Sequence, residues 1–254
     1  VAEERGVPQT YCSYHKVLLG AALSGVLPKP QFVLNTTLAC DANNSTFRTL
    51  SDFWDVPRFS VDVPDKNNPD TVRYVAAQLR ELKSFMEKVT GRRLEEADLS
   101  AVIRRENNSL RLYRRCFDEL AGKYLPNDMT SEMYKIFLTH VLMGTEEAAR
   151  YFELLLEDTR AACASGDEIR ILWAHTLPFW QGSIQKILNG NQKLQLLCCD
   201  LNFDSMTELD EASPYEALAK KLLCNTLDGP GRRRTETLLK TAKALRADGV
   251  VYFC

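Results

Sequence analysis

The sequence predicts an α/β protein in which two Rossmann-like parallel-sheet domains are joined by a helical region. Three observations lead there. Short β-runs alternate with helical stretches at the start of the chain, and the same alternation resumes after residue 167. Between them about a hundred residues show helical periodicity with no competing strand. The expected division is 1–68, 69–166 and 167–254, with the first α/β domain incomplete at its N-terminus and the second truncated at its C-terminus.

In the first segment Tyr14, Val17, Leu18, Ala21 and Ala22 recur at helical spacing between Tyr11 and Leu27, and Pro28 and Pro30 end the run. QFVLN (31–35) is a β-run, a helix follows from the low 40s to Trp54, and RFSVDVP (58–64) is a strand closed by Pro64. In the middle segment Val72, Val75, Leu79, Leu82 and Phe85 share one helix face, with Gly91 as its C-cap. LEEADLSAVIRRENNSLRLYRRCFDELAGKYL continues as a long charged helix, and TSEMYKIFLTHVLMG and TEEAARYFELLLEDTRAACASG add two more. EIRILWAH (168–175) then restarts the β-pattern. A helix at 180–189, strand LQLLCC (194–199), helices at 214–224 and 232–246 and strand GVVYF (249–253) follow. VAEERGVPQ reads as the tail of a helix and GVVYFC stops at the close of a β-run, so a fragment of a longer chain is expected.

Composition narrows the function classes. With 254 residues, 45% hydrophobic and 26% charged, the chain has the make-up of a soluble protein with a sizeable core. A formal charge of −2 argues against bulk nucleic-acid binding. There is no apolar run of membrane-spanning length and no secretory leader pattern, so a cytoplasmic location is expected. No G-x-x-x-x-G-K-[ST] occurs, so no P-loop nucleotide site is evident.

The eight cysteines, at 12, 40, 116, 163, 198, 199, 224 and 254, are scattered, with no CxxC and only three histidines to assist them. Cys116, Cys163 and Cys224 lie in helical patterns and read as small buried hydrophobes. Cys198 and Cys199 are consecutive in a strand and point to opposite faces, so both read as packing. The other three differ. Open parallel sheets take ligands outside the carboxyl ends of their strands. Cys40 follows strand 31–35 by one loop, Cys254 directly follows strand 249–253, and Cys12 stands where the chain enters its first helix. Free N–H groups at a helix start favour a thiolate, the form that binds iron or zinc. Cys12, Cys40 and Cys254 are therefore a candidate metal or cluster set, although their spacing fits no compact metal motif.

The residues around these cysteines are more specific. Cys12-Ser13 leading to Leu19-Gly20, then Cys40-Asp41, Asp62-Val63-Pro64, the helix with Arg105-Glu106-Asn107-Asn108, and Asp248-Gly249-Val250-Val251 resemble the 2-hydroxyacyl-CoA dehydratase and benzoyl-CoA reductase family. The resemblance implies an iron–sulfur subunit with two α/β domains around a cluster, either [4Fe-4S] or double-cubane. It implies Cys12 and Cys40 as ligands and Cys254, or a later cysteine, as the third. It further implies radical removal of water from a 2-hydroxyacyl-CoA by a low-potential electron, supplied by an ATP-dependent iron–sulfur activator. A related dehydratase subunit, in a hetero- or homodimer, and an acyl-CoA substrate are the implied partners.

WAHTLPFWQG (173–182) departs from the family's glycine-bearing opening of the second α/β domain and points to a divergent branch, nearer the double-cubane proteins. That keeps two alternatives open: a reductase of small molecules, or a non-catalytic partner subunit. His15, one helical turn from Cys12, is placed either to bond a cluster sulfur or on an exposed helix face. His175 is placed either in the cleft as a catalytic group or as a satisfied structural histidine; His140 has no assigned role. Tyr14, Phe179 and Trp180 read as core or lid packing, with stacking platforms for CoA as the alternative. Arg232, Arg233 and Arg234 read as a solvated helix start, with contact to a CoA phosphate as the alternative.

Overall fold

The computed structural model describes residues 1–203 and 206–253, which divide into two compact units. One unit is Val1–Glu95 with Tyr215–Gly229; the other is Glu96–Pro214 with Pro230–Cys254. Each is built around a small parallel sheet, and the protein is mixed α/β.

The first unit begins with α1 (Ser13–Leu23), β1 (Val33–Thr36), α2 (Ala42–Trp54), β2 (Arg58–Val61) and α3 (Pro69–Thr90). Strands β1 and β2 pair in parallel, Val33 opposite Arg58 through to Thr36 opposite Val61. From Val17 onward helix α1 is apolar all round, so spacing alone does not choose its buried face. It buries Leu19 and Ala22 against Leu50 of α2 and leaves Tyr14 and Val17 exposed. Tyr14 is therefore not core packing. Helix α3 starts as its sequence dictates. The Asn68 side chain accepts from the N–H groups of Asp70 and Thr71, Pro69 fills the first turn, and Gly91 closes the helix in the left-handed region. Its face Val72–Val75–Ala76 is buried, and Phe85 meets Phe32 and Phe59 at 5.7 and 5.4 Å.

The second unit contains α4 (Glu96–Leu120), β3 (Lys123–Tyr124), α5 (Met129–Phe137) continued by one π-helical turn (Leu138–Leu142), α6 (Glu146–Ala161), β4 (Cys163–Ala164), β5 (Ile169–His175), α7 (Gly182–Leu188) and β6 (Leu194–Cys199). Helix α8 (Pro214–Leu223) carries the chain back into the first unit, where Arg80 of α3 bonds Glu216 and lies over the Tyr215 ring. Helix α9 (Gly231–Ala244) and β7 (Gly249–Phe253) complete the second unit. Its sheet has the order β6-β5-β7, all parallel, with β5 central and buried over most of its length.

Apolar side chains cover both faces of that sheet. Trp173, Ile171 and Leu196 pack with Met129 and Leu177 on one face, and Leu172 and Leu197 with Leu120 and Leu245 on the other. Cys199 belongs to the first cluster and Cys198 to the second, so the two consecutive thiols do face opposite ways. A second core joins α4 to α6 through Tyr113, Cys116, Ala148 and Phe152.

One element contradicts the sequence reading. β3 and β4 form an antiparallel ladder of two residues a strand, within the stretch expected to hold no strand. Two residues are too few for alternation to register. Cys163 consequently lies exposed in β4 instead of buried in a helix, and Cys224, just after α8, is only half-buried.

Candidate functional site

The carboxyl ends of β1 and β2 lead into the loops 37–41 and 62–68. Cys40 stands in the first loop, directly before Asp41, the N-cap residue of α2, and Cys12 is the N-cap residue of α1. Cys12 is exposed and Cys40 half-buried, and both are free thiols. Neither helix start has a side-chain cap or an acidic residue in its first turn. At the start of α1 the uncapped N–H groups and the positive dipole end have no carboxylate beside Cys12, whereas at the start of α2 the carboxylate of Asp41, the N-cap residue, is next in the chain to Cys40.

A small set of polar side chains fixes this corner. Tyr11 Oη donates to the Ala42 carbonyl at 3.0 Å and shares a hydrogen bond of 2.9 Å with the buried Thr46 hydroxyl, tying the residue before Cys12 to the first turn of α2. Asn44 Oδ1 accepts from Asn35 Nδ2 at 2.8 Å and Ser60 Oγ at 3.0 Å, which fastens α2 to both strands. Asn43 Nδ2 reaches the carbonyls of Thr36 and Leu38 at 3.5 Å and braces the loop that carries Cys40. In the second loop Asp62 is held by Tyr74 Oη at 2.9 Å and by Gln78 on both its backbone groups. The hydrogen bond to Asp62, then the charge of Asp62, raise the Tyr74 pKa.

Two features of this corner are not evident from spacing. Ala39, just before Cys40, has φ 66°, a left-handed conformation costly for a residue with a Cβ. His15 Nε2 lies 3.5 Å from the Cys40 sulfur. The nearest thiol contact of His15 is thus with the cysteine 25 positions away, not with Cys12 one turn before it. Tyr11, Asn43 and Asn44 were not singled out in the sequence; the polar run C-D-A-N-N behind a β-run was the available signal.

The carboxyl edge of the second sheet holds a different set. His175 ends β5 with φ 77°, and its backbone N–H donates to Asp200 Oδ1 at 2.8 Å. Arg234 of α9 donates from Nε to the other oxygen of Asp200 at 2.8 Å, and its Nη2 lies 2.7 Å from the same oxygen as an ion-pair contact. The imidazole Nδ1 meets the Thr176 hydroxyl at 3.2 Å, and the ring stands edge-on to Tyr252 at 5.7 Å. Burial, then the nearby Arg234 charge, lower the His175 pKa, against an opposing pull from Asp200. Of the arginines, Arg232 is an exposed residue pairing with Glu236 on the helix surface, as a solvated helix start requires, whereas Arg234 is ion-paired to the buried Asp200 within the fold. Phe179 and Trp180 are exposed and stack edge-to-face at 5.3 Å, so they are not core packing.

Beneath this edge lies a buried charge network. Glu132 is fully buried. Its Oε1 accepts from Lys135 Nζ at 2.5 Å and Asn127 Nδ2 at 2.6 Å, and its Oε2 from the Cys199 N–H at 2.8 Å and Asn202 Nδ2 at 2.6 Å. Burial is the largest influence on the Lys135 ammonium and lowers its pKa, but the charge and hydrogen bond of Glu132 together with Tyr151 and Cys198 outweigh it, and the pKa is raised. Burial also pushes the Cys116 thiol up to about 11 and those of Cys198 and Cys199 upward, so these three are unsuited to ligate metal as thiolates. Asn107, in the R-E-N-N stretch, exchanges two 2.8 Å hydrogen bonds with the backbone of Leu209, a structural role.

The expected cluster ligands thus divide. Cys12 and Cys40 are soft donors at neighbouring uncapped helix starts, a set that suits iron. Cys254 lies outside the described residues, and among those residues no group of three or more His, Cys, Asp or Glu side chains is arranged to hold a metal ion.

Residues 1–254, the whole chain, match the family described as 2-hydroxyglutaryl-CoA dehydratase, D-component. Among curated proteins the chain is similar to the (R)-phenyllactyl-CoA dehydratase alpha subunit of Clostridium sporogenes, 24% identical over 168 residues, covering 62% of this chain and 41% of that protein. It is also similar to the alpha subunit of (R)-2-hydroxyglutaryl-CoA dehydratase of Acidaminococcus fermentans, 26% identical over 139 residues, covering 52% of this chain and 28% of that protein. The matches therefore span less than half the length of either relative. The chain belongs to the 2-hydroxyglutaryl-CoA dehydratase D-component family.

Proposed function

We propose that this chain is an iron–sulfur subunit of the 2-hydroxyacyl-CoA dehydratase type, with Cys12 and Cys40 as two cluster ligands and Cys254 or a later cysteine as the third. The observation that supports it most is the coincidence of a family match along all 254 residues with two accessible thiols at the uncapped starts of α1 and α2. A cluster held by Cys12 and Cys40 would supply one low-potential electron to the thioester of a 2-hydroxyacyl-CoA, by way of a ketyl, for loss of one water as hydroxide and a β-proton, and would recover the electron with no net oxidation.

Of the chain's own residues, Tyr11 ties the segment before Cys12 to α2 and Asn43 braces the loop that carries Cys40. In the second unit, taken by itself, His175 is the candidate for moving a proton. A related subunit, an ATP-dependent activator and a cytoplasmic location complete the reading. No helix among the described residues is long and apolar enough to cross a membrane.

A second reading has its own observation. His175 occupies a left-handed position that favours glycine, in the very stretch where the sequence departs from the family's glycine-bearing opening. This favours a divergent, double-cubane-type reductase of small molecules without CoA. Anaerobically purified protein, supplied with activator and a 2-hydroxyacyl-CoA, separates the two. Formation of the enoyl-CoA is expected; reduction of a small substrate such as azide with no enoyl-CoA formed would replace the first reading by the second, and absence of iron and sulfide would sink both.

A further inference from the structure

We propose that His15 donates a hydrogen bond from Nε2 to the Cys40 sulfur and thereby raises the reduction potential of the cluster that Cys40 helps to hold. The inference rests on the cluster reading above and extends it to a residue outside the ligand set.

The geometry is built from both helices. His15 is half-buried on the first turn of α1, 3.5 Å from Cys40 Sγ, within hydrogen-bond range for sulfur. Its ring lies 5.6 Å from the Tyr11 ring, tilted by 53°. Tyr11 is itself anchored to α2 through Ala42 and Thr46, so the ring that flanks the imidazole moves with the helix that follows Cys40. Lys16, next along α1, bonds Glu3 and the Gln9 carbonyl at 2.9 Å, which steadies the same turn. The imidazole is therefore held, not swinging on an open surface.

Ligation fixes the direction of the bond. A free thiol could donate to a bare ring nitrogen, but a sulfur bound to iron carries no proton and can only accept. In the loaded protein Nε2 must then be the protonated nitrogen. A donor at a ligating sulfur withdraws electron density and favours the more negatively charged, reduced cluster, which raises its potential. A positively directed N–H at one ligand of a set would also make that ligand's iron distinct from the others. His15 acts through Cys40 and is a positioning residue.

The test compares wild type, His15→Leu and His15→Gln, each loaded anaerobically with iron and sulfide, by metal content and by potential in a redox titration followed by electron paramagnetic resonance. His15→Leu, which has no donor, is expected to titrate at a more negative potential than wild type. His15→Gln, which keeps an N–H, is expected to fall between them. Loss of iron from His15→Leu alone, with His15→Gln loaded, would also support the bond. Equal potentials in wild type and His15→Leu overturn the proposal, as does equal loss of iron from both variants. A wild type that takes up no cluster overturns the parent reading and this one with it.

Discussion

At the carboxyl edge of β1 and β2 stand two accessible thiols, an imidazole and a loop braced by asparagines; at the edge of β5, β6 and β7 stand Asp200, its Arg234 ion pair and a histidine, over the buried Glu132–Lys135 pair. Both edges follow parallel strands and both include a residue forced into the left-handed region, Ala39 in one and His175 in the other. The first leaves soft donors reachable from solvent. The second spends its charged groups on one another. A metal is accommodated where donors are unspent, which is why two thiols at the first edge carry the functional reading and the three buried thiols of the second unit do not.

Breaking the network under the second edge should have the largest effect. Glu132→Ala leaves the Lys135 ammonium, Asn202 and the Cys199 N–H without their acceptor. A loss of about 3–5 kcal/mol is expected, the cost of stranding one buried charge, measured as urea unfolding of the purified chain. A loss below about 1 kcal/mol would show the pair to be solvent-screened and the edge less closed than described. Next, Asn107→Ala removes two buried hydrogen bonds to Leu209 and should cost about 2 kcal/mol. An unchanged midpoint would mean that water replaces both.

His175 supplies the pH dependence of the same edge. Its folded pKa lies below its unfolded value, so the unfolded chain binds the proton first as pH falls. Its contribution is complete above the unfolded pKa and declines as pH drops from there toward the lower folded value. Between pH 7.5 and pH 5 the wild type should therefore lose more stability than His175→Asn; parallel curves would remove His175 as the source. The smallest effect belongs to the first edge. Ala39→Gly relieves the left-handed strain beside Cys40 and should stabilise by about 1 kcal/mol or less, strain relief being offset in part by glycine's chain entropy. Destabilisation would show that the Ala39 methyl packs.

Much of this contrast was legible in the sequence, and the missing parts have physical causes. Alternation and length located β1, β2, β5, β6 and β7, because each strand is long enough for a pattern or is bounded by proline. The cap of α3 was readable as N-P at one end and glycine at the other. The β3–β4 ladder was not, since two residues carry no period. The burial of Ala22 agrees with the expected stripe, but that of Leu19 and the exposure of Tyr14 and Val17 were not legible, since α1 is apolar on every side from Val17 onward. Cys12 and Cys40 could be placed at helix starts from their flanking residues. The His15–Cys40 contact could not, because it is closed by Tyr11 reaching from one helix to the next and no local spacing encodes it. Asp200 with Arg234 joins residues 34 positions apart and is likewise invisible along the chain.

The most direct test of the central claim compares exposed and buried thiols in one experiment. Iron and acid-labile sulfide are measured after anaerobic loading of wild type, Cys12→Ala, Cys40→Ala, Cys116→Ala and Cys198→Ala, with circular dichroism to confirm that each is folded. Wild type, Cys116→Ala and Cys198→Ala should hold the same amount, and Cys12→Ala and Cys40→Ala should each lose most of it. Full iron and sulfide in folded Cys12→Ala and Cys40→Ala would contradict the assignment of the first edge as the metal centre.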